Sequence, residues 1–201
     1  MDLEMDLESL QRGTYLDSFE NILRAAKAGN SNAQFNVGVM YQFGGGVKKD
    51  YAKALYWYRK AAKAGEFYAQ FNIGFMYELG LGVEKDYAKA VSWYQKAANA
   101  GDIKAQIRLS EMYFEGYMVE VDDAKSVYWL QKVAEAGDHG AQYMLGLRYT
   151  EGEVYGVEQD YDQAFYWLQK AATAEIPEAQ CNLGSLYEDG LGVKRDRKSV
   201  V

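Results

Sequence analysis

The sequence predicts an all-α protein, a right-handed α-α superhelix (solenoid) built from antiparallel helix-turn-helix repeats of about 36 residues. Trp57, Trp93 and Trp129 stand 36 residues apart, and Trp167 follows after 38. Ala-Gln pairs at Ala33-Gln34, Ala69-Gln70, Ala105-Gln106, Ala141-Gln142 and Ala179-Gln180 keep the same intervals, as do Tyr41, Tyr77, Tyr113, Tyr149 and Tyr187. Inside a repeat, Gln34, Val37, Gly38 and Tyr41 fall on one helix face. After Gly44-Gly45-Gly46, Ala54, Trp57, Ala61 and Ala62 fall on another. Two helical stripes around a glycine turn make a hairpin.

Taken in order, residues 1–13 are an acidic leader, and 14–201 form a single solenoid. Residues 14–32 read as a partial repeat, because Ala25-Ala26-Lys27-Ala28-Gly29 matches the end of a second helix. Complete repeats follow over 33–68, 69–104, 105–140 and 141–178. The stretch 179–201 stops before its tryptophan, and open ends of this kind predict a longer solenoid, or coverage by non-repeat residues or by self-association. Asp50, Asp86, Asp122 and Asp160 stand where each second helix begins and can cap it. Gly65, Gly101 and Gly137 follow its end. Glu175 replaces that glycine in the fourth repeat, and Pro177 suits the first turn of the next helix. The two extra residues of that repeat lie between Tyr149 and Asp160, in a loop that leaves stacking intact.

Two features predict departures from uniformity. The third repeat has Ser110 where the others have glycine, and Gly116-Tyr117-Met118 where three have Gly-x-Gly, so a local distortion is expected there. Gly38, Gly74, Gly146 and Gly184 lie inside first helices, where each costs about 0.5–1 kcal/mol relative to alanine unless a close approach compensates. Tryptophan from the second helix is the expected neighbour, its burial contributing on the order of 5 kcal/mol.

Composition narrows function. With 49% apolar residues among 201, the chain can bury a core. Twenty-nine acidic against 22 basic side chains give a net charge of −7, which argues against nucleic acid as partner. No basic-then-apolar leader opens the chain and no apolar run reaches spanning length, so cytoplasmic synthesis without membrane insertion is expected. One cysteine, Cys181, and one histidine, His139, leave no internal disulfide, multi-histidine metal site or triad. The glycine loops lack the Walker lysine-serine context, which leaves turn formation as their role. Neither a cofactor nor a catalytic residue is expected.

The motif A-Q-x-x-[LVI]-G-x-x-Y-x-x-G-x-G-V-x-x-D-x-x-K-A-x-x-W-Y-x-K-A-A-x-x-G, seen most fully from Ala69 to Gly101, resembles the Sel1-like repeat family, relatives of the tetratricopeptide repeat, over about residues 14–199. The resemblance implies a bacterial scaffold or adaptor that holds a protein or peptide in a concave groove lined by first helices. An immunity protein that neutralises a toxin is the narrower alternative. Because some similar proteins have been labelled β-lactamases, the S-x-x-K and K-T-G motifs matter, and the chain has neither.

Helical phase names the groove residues. One row is Phe35, Phe71, Ile107, Tyr143 and Cys181; the next is Val39, Phe75, Glu111, Leu147 and Ser185. Padding between hairpins is the competing role for any one of them. Asn72, Lys104 and Arg108 resemble half of the carboxylate clamp of some tetratricopeptide domains, Phe35 and Val39 replacing the other half. Glu78, Glu111, Glu115, Glu151, Glu188 and Asp189 make the remaining face acidic, complementary to a partner with apolar anchors and basic flanks. Glu111 and Glu115, four apart, are the pair a carboxylate-dependent hydrolase would need, though surface charge is their simpler role.

Overall fold

The computed structural model describes residues 15–192. The leader 1–13, Thr14 and the last residues, 193–201, lie outside the described residues. Ten α-helices and no strand occur among the described residues. They are α1 (Tyr15–Lys27), α2 (Ser31–Phe43), α3 (Tyr51–Lys63), α4 (Phe67–Leu79), α5 (Tyr87–Asn99), α6 (Ile103–Glu115), α7 (Asp123–Glu135), α8 (His139–Glu151), α9 (Tyr161–Ala172) and α10 (Pro177–Asp189). A short 3-10 helix, Gly152–Tyr155, absorbs the two-residue insertion. The chain forms two compact units, the first ending at Ala105 and the second beginning at Gln106, within α6.

In the first unit α2 packs with α3 and α4 with α5 as hairpins, α1 lying against α2. Phe19, Ala26, Ala33 and Val37 bury Trp57 there, so the tryptophan fills the space between its own hairpin and the preceding helix. In the second unit Val127, Leu130, Val133, Ala141 and Leu145 enclose Trp167 in the same way.

The expected caps are present. Asp50, Asp86, Asp122 and Asp160 each accept from the backbone N–H three residues on, at 2.9–3.0 Å. Gly65, Gly101 and Gly137 take left-handed φ of 88–98°, and Glu175 takes 59° in the same role. Lys89 donates to Asp86 through both its backbone N–H and its ammonium (2.6 Å), which holds the Asp86 carboxyl below the usual carboxylate range. A depressed pKa stabilises the fold above the ordinary carboxylate value, and the contribution is lost as pH falls through the lowered value. Asp86→Ala should therefore lower the melting temperature at neutral pH, and the gap to wild type should narrow in parallel melts as the pH falls below the ordinary carboxylate value and through the lowered one.

Two expectations are corrected. The side chains that enter the glycine notches are not the tryptophans but the residues just after them. A Cβ on Gly38 would lie 2.6 Å from the Tyr58 ring, one on Gly74 2.8 Å from the Tyr94 ring, and one on Gly146 2.6 Å from Leu168. Adjacent residues of the second helix divide the work: tryptophan packs toward the preceding helix, and its successor packs into its own partner helix.

The third repeat is not distorted at its departures. Met118 adopts φ 68°, matching the 74° and 66° of Gly46 and Gly82, so its loop keeps the glycine conformation despite a side chain. The Asp122 N–H reaches the Tyr113 carbonyl at 2.9 Å, as Asp50 reaches Tyr41 and Asp86 reaches Tyr77. Ser110 finds a counterpart in Ser126, where other repeats have alanine. Each hydroxyl donates to the other residue's carbonyl, at 2.9 and 2.8 Å.

Candidate partner-binding surface

The predicted site residues sit on first helices, in the phase the sequence implies. Phe35 and Val39 are on α2; Phe71, Asn72 and Phe75 on α4; Lys104, Ile107, Arg108 and Glu111 on α6; Tyr143 and Leu147 on α8. Lys104 belongs to the first unit, and Ile107, Arg108 and Glu111 to the second.

In the first unit the aromatic row is built in layers. Gly38 lets the Tyr58 ring into the hairpin, and Phe35 lies over that ring with centroids 5.7 Å apart. Gly74 admits Tyr94 likewise, and Phe71 covers it at 5.3 Å. Tyr58 and Tyr94 are fixed from below, donating to Gln42 Oε1 and Glu78 Oε2, each at 2.5 Å. Burial pushes the Tyr58 phenol far above its ordinary pKa, which keeps it a donor. Phe35 and Phe71 are consequently half-buried, one side resting on the hairpin and the other meeting solvent, and Phe75 and Val39 are half-buried as well. Phe35 also touches Tyr68 at 6.1 Å, so part of its surface pads the next helix.

In the second unit the band is thinner. Tyr143 packs on the core around Leu168, and its hydroxyl accepts from Asn182 Nδ2 at 3.4 Å. Leu147 is half-buried, while Ile107 and Glu111 are exposed. Arg108 reaches Glu111 Oε2 at 3.4 Å and stacks on the Tyr117 ring at 5.4 Å.

The clamp residues show separate local engagements. The Asn72 amide donates to the Tyr68 carbonyl of its own helix at 2.8 Å, whereas Lys104 is exposed. Glu78, placed by the sequence among the acidic surface residues, is instead buried beneath Tyr94; an acidic residue in phase with the face is drawn inward when a tyrosine hydroxyl lies within reach. Glu111, Glu115, Glu151, Glu188 and Asp189 are exposed. With Glu111 bridged to Arg108 and Glu115 open to water, nothing encloses the pair for acid-base chemistry. Among the described residues no group of histidine, cysteine and carboxylate side chains is arranged to hold a metal ion, and no helix is long and apolar enough to cross a membrane.

The repeating Ala-Gln pair has a role that periodicity alone does not reveal. Gln34, Gln142 and Gln180 each donate Nε2 to a carbonyl at the end of the preceding second helix, at Ala26 (3.1 Å), Ala134 (3.0 Å) and Ala172 (3.4 Å). The signal in the sequence is a polar residue recurring at a position that alternates with core residues.

Comparisons with known proteins fit this architecture. The Sel1 repeat model matches residues 31–66, 67–102, 103–138, 139–175 and 177–199. A protective antigen of uropathogenic Escherichia coli displaying an SLR fold is 40% identical, with a TM-score of 0.72 over 88% of this chain and 38% of that one. A Sel1 repeat protein from Oxalobacter formigenes is 36% identical, with a TM-score of 0.74 over 85% of this chain and 49% of that one. This chain thus spans less than half of either. An immunity protein from Pseudomonas aeruginosa is 26% identical over 76% of this chain and 56% of its own, at a TM-score of 0.45, too low to support an argument. No curated protein matches the chain.

Proposed function

Because the chain belongs to the Sel1 repeat family, whose members are in general protein-interaction scaffolds, we propose that it is a non-catalytic adaptor gripping a protein or peptide partner on the face of its first helices. The observation that carries this reading is the half-buried aromatic band of Phe35, Phe71 and Phe75, in which Phe35 and Phe71 lie over the fixed rings of Tyr58 and Tyr94. Rings held on one side and wet on the other lose little side-chain freedom on binding and still offer apolar area, which is how anchor residues at interfaces behave. The exposed carboxylates of the second unit, Glu111, Glu115, Glu151, Glu188 and Asp189, favour a partner that also carries basic residues.

Phe71→Glu should weaken a partner by about tenfold or more while leaving helicity unchanged by circular dichroism, because the half-buried ring lies over Tyr94 at the edge of the core and its position stays open to solvent on the other side. Lys104→Ala/Arg108→Ala tests the clamp separately. Loss of affinity for a peptide carrying a free C-terminal carboxylate, but not for its amide, is the expected result; equal loss for both removes the clamp from the account.

A further inference from the structure

The first unit carries a second recognition feature on α3, on side chains the aromatic band does not use. A cleft of about 420 Å³ opens beside Ala52, Tyr56, Arg59, Lys60, Lys63 and Gly82. One wall is the loop after α4: Gly82 takes φ 66°, and a Cβ there would lie 2.6 Å from the Tyr51 carbonyl carbon and 2.7 Å from the Ala52 nitrogen, so the loop rests directly on the start of α3. The rest of the lining is cationic. Arg59 Nη2 donates to the buried Tyr77 hydroxyl at 2.7 Å, and Lys60 Nζ lies over the Tyr56 and Trp57 rings, at 4.9 and 5.1 Å. Two of the three cations are thus held in place before any ligand arrives. Tyr56 is 53% exposed.

None of the three pairs with a carboxylate among the described residues, in a chain whose net charge is −7. The repeat itself shows what the arrangement lacks. In α7 the equivalent positions are Gln131, Lys132 and Glu135, and there the Glu135 carboxylate accepts from Gln131 Nε2 at 2.9 Å and pairs with Lys132 Nζ at 3.4 Å. The α3 helix has Lys63 in place of that carboxylate and Arg59 in place of the neutral Gln131, whereas α5 and α9 have the neutral Asn99 and Thr173 and glutamine at those positions, so among α3, α5, α7 and α9 the row on α3 alone is wholly cationic. Glu66, three residues beyond Lys63, forms no ion pair with it and no side-chain cap on α4.

We propose that this cleft docks an acidic segment of a partner protein, its carboxylates meeting Arg59, Lys60 and Lys63 while its chain lies along the Tyr56 ring. Opposite charge supplies the complementarity, and the cation-aromatic contacts supply the rigidity. The site is independent of the first-helix band, so either can fail without the other.

The test is fluorescence anisotropy of the full chain with a fluorescein-labelled synthetic peptide, Gly-Glu-Glu-Phe-Glu-Glu-Gly, at low and high salt. The comparison variant is Arg59→Gln/Lys63→Glu, which copies α7 and so uses residues this fold already accommodates at those positions. Its melting temperature should match wild type. Wild type should bind with an affinity that falls as salt rises, and the variant should lose about tenfold or more. Equal binding by wild type and variant, or no binding by wild type at low salt, overturns the proposal. A chain lacking residues 1–13 separates a remaining source of acidic peptide: binding that appears only after this deletion would show that the leader, with Asp2, Glu4, Asp6 and Glu8, fills the cleft, and would overturn the assignment to a partner.

Discussion

Placing leucine at Gly74 is expected to destabilise the protein by about 3 kcal/mol, the largest effect of any single side-chain change considered for the first unit. A Cβ there meets two carbons of the Tyr94 ring at 2.8 and 2.9 Å and the Ala90 carbonyl oxygen at 3.2 Å. The ring has no easy retreat, because its hydroxyl is tied to the buried Glu78. Displacing it would break that bond and remove the support beneath Phe71, so the damage should reach the aromatic band. Gly184 provides the internal contrast. Among the described residues nothing lies within 4 Å of a Cβ at that position, and alanine there should stabilise by about 0.5–1 kcal/mol through helix propensity alone. Urea titrations of the two variants beside wild type measure both shifts. Tolerance of leucine at Gly74 would mean that tyrosine does not occupy the notch.

The second large effect belongs to Ser126. In α8, Arg148 occupies the slot that Met40, Met76 and Met112 fill in earlier repeats, and it is only 4% exposed. Its Nη1 donates to Ser126 Oγ at 2.9 Å, and its guanidinium lies 4.6 Å from the Phe114 ring centroid and 5.9 Å from that of Tyr155. No carboxylate lies within ion-pairing distance among the described residues, and burial pulls the Arg148 pKa below its ordinary value, partly opposed by Asp123. Ser126→Ala removes the side-chain acceptor and should cost about 2–3 kcal/mol, since a buried charged donor is left unsatisfied. The triple change Ser110→Gly/Ser126→Ala/Arg148→Met removes donor and acceptor together and returns the residues of the other repeats. It should be neutral or stabilising, because eliminating a whole buried charge network spares its desolvation. Thermal melts of the single and triple variants decide this, and equal losses in both would contradict the account.

These two cases also show how far sequence alone reaches. Hairpins, aspartate caps, glycine stops and the placement of the insertion were all legible, because each follows from periodicity or from a residue type with one backbone role, as with Asp86 and Gly101. Which neighbour fills the glycine notch was not legible. Trp93 and Tyr94 are adjacent, both are large, and a single residue step along the helix separates the directions they face by only about 100°. Arg148 was hidden for a different reason. A charged residue in a first helix reads as surface, and only its shared phase with Met76 and Met112, taken together with Ser126 one repeat earlier, marks it as core. Glu78 misled in the same sense, being acidic and in phase with exposed residues yet within reach of a buried hydroxyl. For the site itself, helical phase indicated the face but not the depth. Phe35 and Phe71 lie on the expected side, and the tyrosines beneath them determine how much ring is left to meet a partner.

The most direct test of the central claim is quantitative affinity capture from extracts of the source cell, wild type against Phe71→Glu, with both proteins shown to be equally helical. At least one protein should be retained by wild type and depleted about tenfold or more on the variant, with binding restored by Phe71→Tyr, which keeps the ring. Identical sets of retained proteins would contradict it, and would remove the first-helix face from partner binding.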